Sequence, residues 1–289
     1  MLYAISDIHG YYREFYRWLD QMGNLATFES GQDKLILLGD YIDYGPDSCK
    51  VLRMIYERTF SLGDSLVVLR GNHEEAFLDW LDLYSRPNAG EPDGYGFVDW
   101  NGWLDVDAGA DYRTFRTFLT PAQWDFFNRI APSASELAQN IEAARMILAN
   151  HRDMIAWLRS LPYYYETERQ IFVHAGIDET YPQFWKELTE PYWFVSKFPP
   201  SVGPCFKDII AGHVAASTAA RNREHEGIYF DGMSHFFIDG SVQRTGKLLC
   251  LACDEHSGQY YELLRTDRSP GKTDGVYGEL RPLRRKGSY

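Results

Sequence analysis

Hydrophobic positions fall in short runs that each end in polar residues. LYAIS at 2–6 stops at Asp7, KLILL at 34–38 stops at Gly39-Asp40, and SLVVL at 65–69 stops at Arg70-Gly71-Asn72-His73. Runs of this length, bounded by glycine and polar residues, read as buried strands. After the first run apolar residues recur at helical spacing: Phe15, Trp18, Leu19 and Met22 within 11–22. Helices are also expected over 47–59 and 74–84. Three strand–loop–helix units in a row predict a parallel or mixed sheet covered by helices. In such sheets ligands gather at the carboxyl ends of the strands, where all three polar clusters sit.

The pattern changes from 85 to 160. A stretch rich in Gly, Asp and aromatics is followed by helical segments near 111–130 and 134–159. It reads as an insertion that caps the sheet. Strands resume at 170–173, ending at His174, and at 208–211, ending at Gly212-His213. Runs at 227–230, 235–238, 247–253 and 259–264 are spaced like a meander and predict a second sheet. The class is α/β, with one domain over 1–264, the 85–160 cap within it, and a polar tail over 265–289. RPLRRK at 281–286 reads as solvated tail rather than an anion patch.

Composition narrows the function. Forty-one acidic against 29 basic residues give a formal charge of −12, which repels nucleic acid. No apolar stretch reaches the roughly 18–20 residues that span a membrane, and MLYAISDIHG lacks the features of a signal peptide. A soluble, cytoplasmic protein is expected, with no nucleic-acid or membrane partner. Of the four cysteines, Cys250 and Cys253 form a C-x-x-C inside LLCLACDE. With no second pair or nearby His, that motif reads as buried strand rather than zinc site.

Taken in order, the strand ends carry Asp7 and His9; Asp40 and Asp43; Asn72 and His73; His174; His213. Oxygen and imidazole donors together suit manganese, iron or zinc. The set exceeds the needs of one ion and fits two sharing a carboxylate, about 3.5–4 Å apart. Two such ions acidify a bridging water and hold phosphoryl oxygens, and a nearby acid must protonate the leaving oxygen.

The strings SDIHG, GDYIDYG, RGNHE, FVHAG and AGH resemble, in order, the sequence blocks of the phosphoprotein phosphatases, or calcineurin-like metallophosphoesterases. That family holds serine/threonine protein phosphatases and symmetrical diadenosine tetraphosphate hydrolases. The resemblance covers 2–80 well and 160–254 moderately, including IDGSVQRTGKLLCL at 238–251, but not 85–135 or the tail. It implies a four-layer α-β-β-α sandwich and two divalent metal ions, manganese first, with iron or zinc as alternatives. By position, Asp7 and His9 would hold the first ion, Asp40 would bridge, and Asn72, His174 and His213 would hold the second. His73 would be the general acid, with Asp43 orienting its imidazole.

Two departures stand out. The arginine that grips phosphate in the second block is Tyr44 here, and the one expected in YWFVSKF is Val195. Between His174 and His213 there are only lysines, Lys186, Lys197 and Lys207. Neither Tyr nor Val replaces a bidentate guanidinium. Arg70 is the first candidate to supply the charge, ahead of Lys197, Arg221 and Arg223, and a salt bridge supporting its loop is the other reading. A Tyr44 hydroxyl suits a less charged diester instead. His151 and His235 read as structural, and His225 as solvated loop.

The leading expectation is a phosphate monoesterase like the bacterial serine/threonine protein phosphatases. Its substrate would be a phosphorylated protein or a small phosphorylated molecule. The alternative is a hydrolase of a nucleotide like diadenosine tetraphosphate; Tyr95, Phe97, Trp100 and Trp103 would suit an aromatic slot for its base, although packing is the first reading of these residues. A metal-stabilised binding module is third.

Overall fold

A computed structural model describes residues 1–22, 26–87, 103–264 and 278–284. Three strands open the chain, β1 (Leu2–Ile5), β2 (Lys34–Leu37) and β3 (Leu66–Val68), and pair in parallel. Around them run α1 (Tyr12–Gln21), a short α2 (Ala26–Glu29), α3 (Ser48–Leu62) and α4 (Asn72–Ser85). Side chains of a strand alternate between faces. Here Tyr3, Ile5, Leu35 and Leu37 pack with Phe15, Trp18, Val51 and Leu52 of the helices. Leu2, Ala4, Ile36 and Leu38 face the opposite way, into a second apolar layer. Burial on both faces is why these strands read as continuous apolar runs.

The cap contains α5 (Trp103–Gly109), α6 (Pro121–Ile130) and α7 (Glu136–Arg159). Its Phe115, Phe118, Phe127, Ile147 and Leu158 share one core with Phe77 and Trp80 of α4. The helix expected over 111–130 is broken: a 3-10 turn at Phe115–Phe118 precedes α6. The cause is local. The Asp107 carboxylate takes the backbone N–H groups of Thr114 and Phe115, and Thr120-Pro121 starts a new helix with a capping box to Gln123.

β4 (Tyr164–Glu166), β5 (Gln170–Val173), β6 (Asp208–Ala215), β7 (Tyr229–Phe230) and β8 (His235–Asp239) follow. They form a second sheet in the order β4-β5-β6-β8-β7. On its outer face Ile171, Val173, Ile209 and Ala211 pack against α8 (Trp185–Leu188) and α9 (Pro191–Ser196) through Trp185, Phe194 and Val195. Its inner face sends Phe172, Ile210 and Phe236 against the first sheet. The layers are therefore helix, sheet, sheet, helix.

The meander does not stay in the second sheet. β9 (Cys250–Asp254) and β10 (Gln259–Leu264) cross back to the first and are followed by β11 (Glu279–Leu283), so that the first sheet runs β11-β10-β9-β1-β2-β3. Cys250 and Ala252 face the helices while Leu251 and Cys253 face the second sheet, and all four cysteines are free. β11 lies where a solvated tail was expected, pairing antiparallel with β10. Its side chains are largely exposed, so no buried alternation betrayed it. Pro282 is tolerated on an edge strand, and Arg281 ion-pairs with the buried Glu262. No helix among the described residues is long and apolar enough to cross a membrane.

Candidate metal centre

The strand ends meet. Beyond β1 the chain turns sharply at Asp7 and His9 (φ 53° and 47°), beyond β2 at Asp40, Asp43 and Tyr44 (57°, 70° and 58°), and within β6 at His213 (58°). Left-handed backbone is uncommon for residues other than glycine, and its concentration here marks a site.

Ligand atoms of His9, Asp40 and His73 lie within 4.8 Å of one another, as do those of Asp40, His174 and His213. Asp40 is the shared group: its Oδ2 is 3.7 Å from His9 Nε2, 3.9 Å from His73 Nε2 and 3.4 Å from His174 Nε2. Asn72 Oδ1 faces His174 Nε2 at 2.9 Å and His213 Nδ1 at 3.0 Å. Asp7 Oδ1 lies 3.9 Å from His9 Nε2, and Asp7 Oδ2 accepts the His213 backbone N–H at 3.1 Å.

Two imidazoles have their tautomers fixed from behind. His9 Nδ1 donates to the Ile42 carbonyl and His174 Nδ1 to the Leu38 carbonyl, each at 2.9 Å. Each Nε2 is thereby aimed at the carboxylates, the arrangement that metal-binding histidines use. Buried acids crowd this space. Burial, with Asp239 and Asp40, pushes Asp7 well above the usual carboxylate range. Burial would also raise Asp40, but His174 and His73 hold it well below that range. Burial opposes charge on His174, yet Asp40 pushes it up to about 9. Divalent cations would compete with that proton and neutralise the acids, so donor set and charge both fit such ions.

His73 stands beside this set. Its Nδ1 is 2.7 Å from Asp43 Oδ2. Burial alone would lower its pKa, but Asp40 and then Asp43 push it up to about 10. His9 and His213 go the other way, each down to about 4, chiefly through burial.

Arg70 and the three lysines between His174 and His213 are otherwise engaged, while Arg221 and Arg223 are exposed. Arg70 ion-pairs with Glu75 at 2.8 Å, donates to the Arg159 carbonyl, and lies 5.2 Å from the centroid of the Tyr163 ring. That is the loop-supporting bridge. Lys197 Nζ donates to Ile177, Glu179 and Ser201, while Lys186 and Lys207 hold Glu166. Val195 is buried in the outer layer. His151 of α7 bonds the Phe118 carbonyl of the 3-10 turn, and His235 bonds Gly203, Asp231 and Glu179. His225, expected in solvated loop, is half-buried and packs edge-on against Tyr229.

Two groups escaped the sequence reading, Glu74 and Asp239, and the bond of a third, Trp103, to the dyad was not foreseen. Glu74 is fully buried and accepts the N–H groups of Asp40, Tyr41, Ile42 and Gly71. Its signal was its place directly after His73. Asp239 ends β8 at the same edge, so the strand-end rule applied to HFFID would have found it; burial, with Asp40, pushes it up to about 6. Trp103 donates to Asp43 Oδ2 at 3.4 Å while packing on Phe77 and Trp80. It serves the dyad and the core rather than a slot. Tyr95, Phe97 and Trp100 lie outside the described residues.

Residues 2–214 match the family profile of calcineurin-like phosphoesterases. The symmetrical bis(5'-nucleosyl)-tetraphosphatase of Proteus mirabilis is 33% identical over 152 residues, 49% of this chain and 50% of that protein. Its namesake in Aromatoleum aromaticum is 42% identical over 176 residues, 61% of this chain and 44% of that one. The chain thus spans half or less of the length of these relatives. Among solved structures, a point mutant of a cold-active protein tyrosine phosphatase shares the fold, with TM-score 0.52, 14% identity, and coverage of 90% of this chain and 76% of that one.

Proposed function

The chain belongs to the calcineurin-like phosphoesterase family, and from that premise we propose that it splits a dinucleoside tetraphosphate symmetrically into two nucleoside diphosphates. The relatives' names favour this alternative over the protein-phosphatase reading. The observation that carries it is Tyr44. Where a phosphatase-like arginine was expected, a half-exposed ring lies edge-on to His9 and His73, with centroids 4.8 and 5.2 Å away. An aromatic face beside the reacting phosphate suits a nucleotide better than a phosphoserine peptide.

Asp7, His9 and Asp40 would hold one divalent ion, and Asp40, Asn72, His174 and His213 a second, manganese being proposed first. Bound there, the ions supply a nucleophile from water and offset phosphoryl charge. The protein's own part follows from His73. Its Nδ1 is fixed by Asp43, so Nε2 carries its proton toward the centre and hands it to the oxygen that leaves phosphorus. Asp43, held in turn by Trp103, keeps that imidazole oriented. Arg70 would act on substrate only by leaving Glu75, so it is assigned to loop support.

The test is hydrolysis of bis(5'-adenosyl) tetraphosphate, a phosphoserine peptide and p-nitrophenyl phosphate by metal-stripped protein with manganese added back. Adenosine diphosphate as the sole nucleotide product, at a kcat/KM above that for the peptide, is expected. Preference for the peptide restores the protein-phosphatase reading. No turnover of any of the three, with two ions bound, leaves the binding module.

A further inference from the structure

An open basin of about 550 Å³ lies beyond Tyr44, between the start of α3 and the cap. Its walls are Pro46, Asp47 and Lys50 on the α3 side, and Asp111, Arg113 and Arg116 of the cap. Tyr44 is the partition: Arg113 donates to its backbone carbonyl at 2.9 Å, and its ring rests against His9 and His73. Three cations face two acids here, on a chain whose formal charge is −12. Lys50 lies over the Tyr12 ring at 3.7 Å and Arg116 lies 5.3 Å from the centroid of the Trp124 ring. Neither contact neutralises charge. The basin also occupies the flank where the cap meets the loop after β2, which carries one of the motif blocks.

Geometry decides which half of a substrate arrives there. A general acid must touch the leaving oxygen, so the leaving group departs past His73, and Tyr44 is the side chain set edge-on beside it. In a symmetrical cleavage that group is a nucleoside diphosphate, an anion. We propose that the basin of Lys50, Arg113 and Arg116 is a second anion subsite, which takes the phosphates of the leaving nucleoside diphosphate. This rests on the dinucleoside tetraphosphate reading. It also answers the two missing arginines: the cationic grip is moved from the scissile phosphoryl group to the departing one, and comes from the cap together with Lys50 of α3.

The test uses the manganese-loaded enzyme and the exposed Lys50→Glu and Arg116→Glu variants, neither residue touching the metal centre. Calorimetry with adenosine diphosphate reads both sites at once, whereas inorganic phosphate, too short to span them, is read at the stoichiometry of the metal centre, its binding there being the event lost on stripping manganese. Each variant is expected to weaken adenosine diphosphate about ten-fold or more and phosphate by less than about two-fold, the phosphate affinity reporting an intact fold. The wild-type diphosphate affinity is also expected to fall more steeply with salt than the phosphate affinity. Equal loss for both ligands, or for neither, overturns the subsite. Loss for the diphosphate alone, in an enzyme that fails to split the tetraphosphate, supports the subsite and overturns only the substrate.

Discussion

Asp43 serves two donors, His73 Nδ1 at 2.7 Å and Trp103 Nε1 at 3.4 Å. Replacing it with Asn removes a charge while keeping the shape. The His73 pKa should then fall from about 10, visible in an NMR titration of the imidazole, and kcat should drop about 10²-fold or more. An unmoved titration would sink the dyad. The same group makes a stability prediction for the metal-free protein. Its folded pKa lies above the ordinary 6.5, so its contribution is complete below about 6.5 and is lost as pH rises through about 10. The urea-unfolding gap between wild type and His73→Asn should therefore close across that window; a gap that stays constant refutes it. The gathering of these residues was legible because Asp7, His9, Asp40, Asn72, His174 and His213 each lie at or just beyond a short apolar run, and parallel strands bring such ends to one side of each of the two facing sheets. The direction of Arg70 was not. Its position beside the cleft is fixed by sequence, but its guanidinium is turned by Glu75 and the Arg159 carbonyl, which belong to other turns of the fold.

At the scale of elements, the start of α4 clamps the loop after β2. Gly71 comes so close that a Cβ there would sit 2.2 Å from Asp40 Oδ1 and 2.4 Å from its backbone nitrogen. Gly71→Ala must displace the shared carboxylate, so bound manganese should fall from two ions to one or fewer per chain by elemental analysis, with far-ultraviolet circular dichroism unchanged. Retention of both ions would show that Asp40 is not the bridge. Glu74 closes the same clamp by collecting four N–H groups, a role invisible in a string read one residue at a time. Elements buried on two faces announced themselves. β4 is only half-buried and β11 exposed, α8 and α9 are a turn or so long, and none carries a period for the eye to find.

For the whole molecule, the acids gathered between the two sheets tie stability to bound ions. Stripping the ions leaves Asp7, Asp40 and Asp239 buried together. Ligand at one hundred times its Kd is worth about 2.7 kcal/mol, or roughly 4–5 °C in a chain of this size. Chelation should lower Tm by about that amount and manganese should restore it; an indifferent Tm would count against a loaded centre. The return of β9 and β10 to the first sheet was hidden for a related reason: both sheets offer the same kind of apolar face, so alternation shows that a strand is buried without saying where. The left-handed turns at Asp7, His9, Asp40, Asp43, Tyr44 and His213 have an evolutionary consequence. Each costs on the order of 1 kcal/mol, and glycine or asparagine would relieve it. A laboratory selection for heat resistance alone should collect such replacements at Tyr44 first, because aspartate already tolerates this backbone and Asp43 also holds His73, and its hardiest descendants should be its slowest catalysts.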